Sequence, residues 1–353
     1  MNHSSLRLDN SYLEVDLGLL RDNVRSILDS LGDGVRLIPV LKDDAYGLGM
    51  IPVVKAIDPF PEIDTLAVAH VREGLRLRAA GISREILVMG APLPFQLESA
   101  VDAELTLTCA RPGFAEELAD AARKLNKPAR LQIKIDTGLH RIGFVPEETE
   151  KLCAALHKAS DFLEIAGTFS HFSNEEPNQL RRQTEIFYQV TGRLRTEGID
   201  PGLCHMFSSA SLEAVNPEDL MDAVRVGRRL FLDNPVQPAG GIREVASFRA
   251  YLTDIRDRKK GDTLAYGGRV VLEKDARIGV LSVGYGDGID PALAAARAPV
   301  LVHGQMASLI AMCMDQSFVD LGDLPCSPGD EVTLFGHDGK GGFLSAQTVA
   351  ACI

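Results

Sequence analysis

The chain has no run of about 18 consecutive apolar residues, so no membrane-spanning helix is expected. Residues 1–16, MNHSSLRLDNSYLEVD, are polar and hold no apolar signal-peptide stretch, which points to a cytoplasmic protein. Basic residues are in deficit: 37 Lys and Arg against 49 Asp and Glu leave a net charge of −12. Nucleic acid and anionic membrane both demand a cationic face, so neither is expected as the main partner. The six cysteines are scattered and none stands in a C-x-x-C pair. That spacing excludes a structural zinc site, no metal is expected, and a reduced compartment is the plain reading. Internal repeats and low-complexity tracts are also missing.

What is present is an ordinary globular composition, 45% hydrophobic and 24% charged over 353 residues. That length suggests one large and one small domain, or two medium ones. From residue 13 to about 236, short β-branched runs alternate with longer helical patterns. The runs are 36–41, 65–68, 85–89, 104–108, 130–135, 164–170, 203–207 and 223–226, and a helix is expected ahead of them near 17–31. Eight such units predict an α/β fold, a (β/α)8 TIM-type barrel, with a doubly wound open sheet as the rival. The stretch NPVQPAGG then reads as a linker. Residues 237–353, with 1–12 associated, read as a smaller, mostly-β domain whose only late helical pattern is AQTVAAC, capped by Ser345.

In a barrel, residues at the carboxyl ends of the strands build the site. Lys42 follows the first strand in VLKDDAYGLG, with Tyr46 and two glycines beyond it. A lysine after a strand is usually a solvated surface residue, but a lysine here could also form a Schiff base with a carbonyl cofactor. KIDTGLHRIGF, at the fifth strand, sets Lys134 and Asp136 on the strand and Arg141 beyond. That is either a strand-end ion pair or an arginine for an anionic group. SHFSNEE carries His171, and a lone histidine is more often structural than catalytic. FSSAS offers Ser208 and Ser209 at an expected helix N-terminus, and VRVGRRLF offers Arg225, Gly227 and Arg228, where barrels commonly bind phosphate. In the β domain, LAYGGR presents Tyr266 between small residues. MCMDQSFVDL places Met314 in a strand-turn context, and SVGYGDGID does not open a Rossmann helix.

Together these blocks resemble the alanine racemase family. VLKDDAYGLG is similar to its V-K-A-N-A-Y-G-H-G motif, KIDTGLHRIGF to K-x-D-T-G-M-x-R-x-G, SHFSNEE to T-H-F, SSAS to N-S-A and RVGRRLF to R-x-G-I-x-x-Y. YGGRVV…RIGVLSVGYGDG and MCMDQSFVDL resemble motifs of the family's second domain, and the order holds from residue 13 to about 336. The resemblance implies a pyridoxal-phosphate (PLP) enzyme with a barrel plus a β domain, acting on a small amino acid as a homodimer with shared active sites. It implies that Lys42 carries PLP and is one base, and that Tyr266 from the partner is the opposite one. His171 would bond Tyr266 and link towards Arg225, which would meet the pyridine nitrogen. Arg141 would hold the substrate carboxylate, and Lys134 would be carbamylated to orient it. Tyr46, Ser209, Gly227 and Arg228 would grip the phosphate. Met314 would approach the substrate carboxylate and Tyr285 would line the entrance.

Some positions depart from the family pattern. Asp43-Asp44 replace Ala-Asn, Leu48 replaces histidine, Ser208 replaces asparagine, and Asp290-Pro291 stand where an arginine is usual. Family members continue for some tens of residues past Ile353 with a phosphate-binding tyrosine, so the resemblance implies a truncated C-terminus or a substitute residue. The implied activity is interconversion of L- and D-alanine, supplying D-alanine for the cell wall. The alternatives are a racemase for serine, ornithine or a broad set, a barrel-type PLP decarboxylase, and a catalytically weakened PLP-binding homologue.

Overall fold

The computed structural model describes residues 9–213, 219–232 and 241–353. They form two compact units, one of residues 17–243 and one of residues 9–16 with 244–353.

Strand β1 (Ser11–Val15) belongs to the second unit. The first unit holds β2 (Arg36–Pro39), β3 (Thr65–Val68), β4 (Glu85–Val88), β5 (Thr106–Cys109), β6 (Ala129–Lys134), β7 (Leu163–Phe169), β8 (Leu203–His205) and β9 (Ala223–Val226). β3 to β8 form a parallel sheet in chain order, and β2 pairs in parallel with β9. Parallel bridges Val40↔Ala67 and Ser208↔Arg225 join the two sheets into one ring. This is the expected eight-stranded barrel and not the open sheet. β3, β5 and β9 are buried at every residue, as expected where helices cover the outside and side chains fill the inside. Ile38, Val40, Ala67, Leu87 and Ala223 pack together in its core.

The helices form where the apolar period is 3.6. Helix Phe114–Leu125 buries Phe114, Ala115, Leu118, Ala119 and Ala122. Glu116 and Glu117 lie in its first turn, Arg123 and Lys124 in its last, and Asn126 closes it in the left-handed conformation. Helix Pro177–Thr196 starts with proline, and the Glu176 carboxylate accepts from the amides of Asn178 and Gln179. The expected first helix runs from Leu17 to Ser30. Two short helices, Met50–Ile57 and Leu97–Asp102, gave no clear signal in the sequence. Residues 234–240 of the expected linker lie outside the described residues.

The second unit is antiparallel. Its strands are β10 (Ala246–Arg258), β11 (Thr263–Leu264), β12 (Val270–Val271), β13 (Ala276–Leu281), β14 (Pro299–Val302), β15 (Gln305–Met312), β16 (Ser317–Asp320), β17 (Glu331–His337) and β18 (Phe343–Leu344). The sheet order is β1-β10-β13-β16-β15-β14-β17-β18, and a further β10–β17 pairing closes it. Ala250, Leu252, Leu281, Val300, Leu309, Val319 and Val332 fill its centre. The last helix, Ala346–Ala350, is capped by the Ser345 hydroxyl, which accepts from the Thr348 amide at 3.0 Å. Among the described residues no helix is long and apolar enough to cross a membrane.

Candidate active site

Lys42 lies just beyond β2, and the chain after it does something unusual. Asp43, Asp44, Ala45 and Tyr46 all have φ between 54° and 58°, a full turn of left-handed helix. Each such residue bearing a Cβ costs roughly 1–2 kcal/mol, so the turn stores on the order of 4–8 kcal/mol, less where aspartate tolerates the conformation. Four L-residues make the turn, and Gly47 and Gly49, at φ 84° and 88°, only finish it. Several contacts hold it. Ala45 donates to the Leu41 carbonyl at 2.9 Å, Gly47 to the Asp43 carbonyl at 2.9 Å, and the Ala45 side chain is fully buried. Asp44 accepts from the Met50 amide at 3.1 Å and pairs with Arg76 at 3.2 Å. The result puts the Lys42 ammonium 5.9 Å from the Tyr46 ring centre.

Tyr46 in turn reaches the loop after β9. A Cβ built on Gly227 would stand 2.0 Å from the Tyr46 hydroxyl, so any side chain there would push the Tyr46 ring out of its place. The Gly227 amide donates to the Ser209 hydroxyl at 3.1 Å, and Arg228 opens the next short turn, Arg228–Leu230. Burial raises the Tyr46 pKa, with Asp43 adding to the rise and Arg228 opposing it, so the phenol keeps its proton and can donate. Of the expected helix starting at Ser208-Ser209, the described residues show one turn, in which the Leu212 amide donates to the Ser208 carbonyl at 3.0 Å. The turn includes Ser211–Glu213, and the Ser208 amide donates to the Ser211 hydroxyl at 2.8 Å.

Arg225 is buried on β9. Its Nη1 donates to Nδ1 and the carbonyl of His205. Its Nη2 donates to the carbonyls of Ser170 at 2.7 Å and Met206 at 2.9 Å, and to His171 Nδ1 at 3.3 Å. Only Nε has no partner among the described residues, and Arg225 lines the cavity. His205 Nε2 lies 2.8 Å from Gln132 Oε1, the side-chain amide oxygen, which can only accept; His205 is therefore protonated there and accepts from arginine at Nδ1. Burial, then the neighbouring cations led by Arg225, lower the His171 pKa to about 3. His205 is lowered well below its ordinary value for the same reasons. Both rings are neutral. Arg225 itself falls to about 9, by burial and then Arg141, and stays charged at neutral pH.

Lys134 is buried at the end of β6. It donates to the Ile135 carbonyl at 2.9 Å and sits 5.4 Å from the Phe169 ring centre. The strand-end ion pair with Asp136 does not form: Asp136 accepts from the Gly138 and His140 amides at 2.9 and 3.0 Å. Burial and then Arg225 pull the Lys134 pKa down to about 7, with Asp136 opposing. Lys42, Tyr46, Lys134, Arg141, His171, Ser209, Arg225, Gly227 and Arg228 line one cavity of ≈ 290 Å³. Five of its lining residues are lysine or arginine and none is a carboxylate, in a chain of net charge −12. The sequence reading missed His205, Gln132 and Phe169. They lie within strands and read as ordinary strand residues; only their polarity amid apolar runs could have flagged His205 and Gln132.

Tyr266, Tyr285 and Met314 belong to the second unit, and at 63%, 39% and 56% they are exposed there. The Tyr285 and Gly286 amides donate to the Cys313 and Met314 carbonyls at 3.1 and 2.7 Å, which fixes the loops to each other. Ala265, just before Tyr266, has φ 58° and ψ −177°, a region normally left to glycine. The Cys313 thiol raises the Tyr266 pKa first, then slight burial, then Tyr285 and Asp315. Asp290, in place of the family's arginine, accepts from the Ala292 amide at 2.8 Å.

Residues 15–235 match the family description "Alanine racemase, N-terminal domain", and residues 245–353 match "Alanine racemase, C-terminal domain". The alanine racemase of Thermobifida fusca is 33% identical over 335 residues, covering 93% of this chain and 88% of its own. Alanine racemase 1 of Oceanobacillus iheyensis is 33% identical over 352 residues, covering 96% and 92%. Among solved structures, the alanine racemase from D-cycloserine-producing Streptomyces lavendulae superposes with a TM-score of 0.89. It is 31% identical, and the match covers 97% of this chain and 91% of that one.

Proposed function

The chain belongs to the alanine racemase family, and on that premise we propose that it interconverts L- and D-alanine with PLP by a two-base mechanism. The carrying observation is the cavity lined by five lysines and arginines and by no aspartate or glutamate. It fits a phosphorylated, phenolic aldehyde and an amino-acid carboxylate, all anionic. The unpartnered Arg225 Nε fits a ring nitrogen that must accept a hydrogen bond, and the side-chain-free Gly227 beside the Tyr46 and Ser209 hydroxyls fits a phosphate. When bound, PLP supplies an electron sink that acidifies the substrate Cα.

The chain's own residues then divide the work. Lys42 holds the cofactor and moves a proton on one face of Cα. Tyr266 of the partner subunit moves it on the other, since inversion needs a donor and an acceptor on opposite sides. Arg225 stays charged and, pinned by five acceptors, donates Nε to the pyridine nitrogen and keeps it unprotonated. His171, neutral and tied to Arg225, bonds the partner's Tyr266. Arg141 clamps the substrate carboxylate, and Tyr46, Ser209, Gly227 and Arg228 take the phosphate. Lys134, with a pKa near 7, has the free amine that carbon dioxide requires, which supports its carbamylation. Met314 and Tyr285 of the partner subunit edge the substrate entrance, and the protein acts in the cytoplasm as a homodimer. The test is L- to D-alanine conversion by the purified 353-residue chain against a Lys42→Ala control. L-Alanine ranking among the slowest of a panel with serine and ornithine would overturn the substrate assignment. A cofactor-loaded protein that racemises nothing would overturn the activity.

A further inference from the structure

We propose that Glu73 is a positioning residue for Lys42, holding the left-handed turn from outside the cavity. The proposal rests on Lys42 being the cofactor lysine. Glu73 stands in the first turn of helix Val71–Ala79 and is only 5% exposed. Its Oε1 accepts from the Asp43 amide at 2.6 Å, the first peptide N–H after Lys42. Its Oε2 accepts from the Ala69 and His70 amides at 2.8 and 3.0 Å, at the exit of β3. β3 is the ring neighbour of β2 through the Val40↔Ala67 bridge. One buried carboxylate thus joins the peptide that follows Lys42 to the exit of the adjacent strand. Three residues further along the same helix, Arg76 takes Asp44 at 3.2 Å. The helix therefore braces the strained turn at two consecutive residues.

Helix capping alone would need only the bonds to Ala69 and His70. The bond to Asp43 is the one that reaches the turn, and its chemistry separates the two roles. Three N–H groups converge on two oxygens, and glutamine has only one carbonyl oxygen to offer. In Glu73→Gln that oxygen can keep Ala69 and His70, and the amide NH2 then faces the Asp43 N–H. The cap survives and the link to the lysine turn is broken.

The experiment compares wild type with Glu73→Gln and Arg76→Ala, first without cofactor and then with PLP. Amide hydrogen exchange over residues 42–49 of the cofactor-free protein should accelerate about tenfold in Glu73→Gln, the scale of a lost charged hydrogen bond. Exchange over the other barrel strands should hold. Arg76→Ala, which removes an exposed pair, should accelerate it only about twofold. With PLP, kcat for L-alanine should fall about tenfold in Glu73→Gln while KM stays within about twofold, because Arg141 on another loop takes the carboxylate. Unchanged exchange at 42–49, or exchange rising uniformly with a falling Tm, overturns the proposal. If Glu73→Gln does not fold, unchanged exchange at 42–49 in Arg76→Ala does the same. A wild type that fails to racemise while the local exchange responds would sink the functional reading and leave the positioning role standing.

Discussion

The barrel cavity and the Tyr266 corner of the β unit differ first in exposure. Arg225 and Lys134 are 4% and 3% exposed, Arg225 held by five acceptors and Lys134 by the Ile135 carbonyl, whereas Tyr266 is 63% exposed. The cavity's charges are fixed before any ligand arrives, which is how a site stabilises charge without reorganising. The β unit instead offers a phenol whose pKa is raised and which no cation of its own unit is seen to lower. The difference teaches where each proposed function can reside: the proposed cofactor site is built into one unit, while Tyr266, the proposed base on the other, has no such preformed surroundings in its own unit.

Mutations sharpen that contrast, and the largest effect falls on the cavity. Lys42→Ala should lose both the cofactor's covalent attachment and at least about 10⁴-fold in racemisation, the upper range for a positioned base. The cofactor absorbance and D-alanine formation read this together. Tyr266→Phe should cost about 10²–10⁴-fold in turnover and leave the cofactor absorbance as in wild type. An altered absorbance would mean that the β unit also holds PLP. Arg225→Ala strips the donor from three buried carbonyls and His205 and should destabilise the barrel by about 3 kcal/mol, measured by urea unfolding.

A pH series carries the comparison further. Folded His171 titrates near 3, and unfolded it would titrate near 6.5. The unfolded chain therefore binds the extra proton in that window, and stability falls as pH drops from about 6.5 towards 3. His205 acts in the same direction. Lys134, near 7 when folded against 10.5 unfolded, makes stability rise with pH across that upper window. His171→Asn should flatten the acid limb of the urea midpoint. An unchanged limb would place the acid sensitivity elsewhere. The smallest effect belongs to the exposed corner: Met314→Leu, which keeps side-chain volume and the backbone amide, should shift kcat/KM by no more than about tenfold.

Much of this was legible in the sequence because a barrel converts strand order into spatial neighbours. Lys42, Arg141, His171, Ser209 and Arg225 are far apart in the chain, yet each follows a strand or, for Arg225, lies within one, and all line one cavity. What pattern could not reveal was conformation that runs against propensity. Nothing in Asp-Asp-Ala-Tyr announces four left-handed residues, and two of the side chains that bond to them, Glu73 and Arg76, stand in another helix. His205 and Gln132 hid for a related reason. Gln132 bonds His205 and His205 bonds Arg225, and polar residues inside apolar strands show their purpose only once β6, β8 and β9 are assembled.

The contact between Tyr46 and Gly227 has a consequence for folding. β2 and β9 are the first and last strands of the ring, so the proposed phosphate grip straddles the seam where the barrel closes. No fragment of the barrel short of the whole can own that grip. On that proposal, cofactor uptake reports closure of the seam, and a bound cofactor acts as its clasp. At a thousand times its dissociation constant it would add about 4 kcal/mol against unfolding, all of it spanning the two ends of the barrel chain.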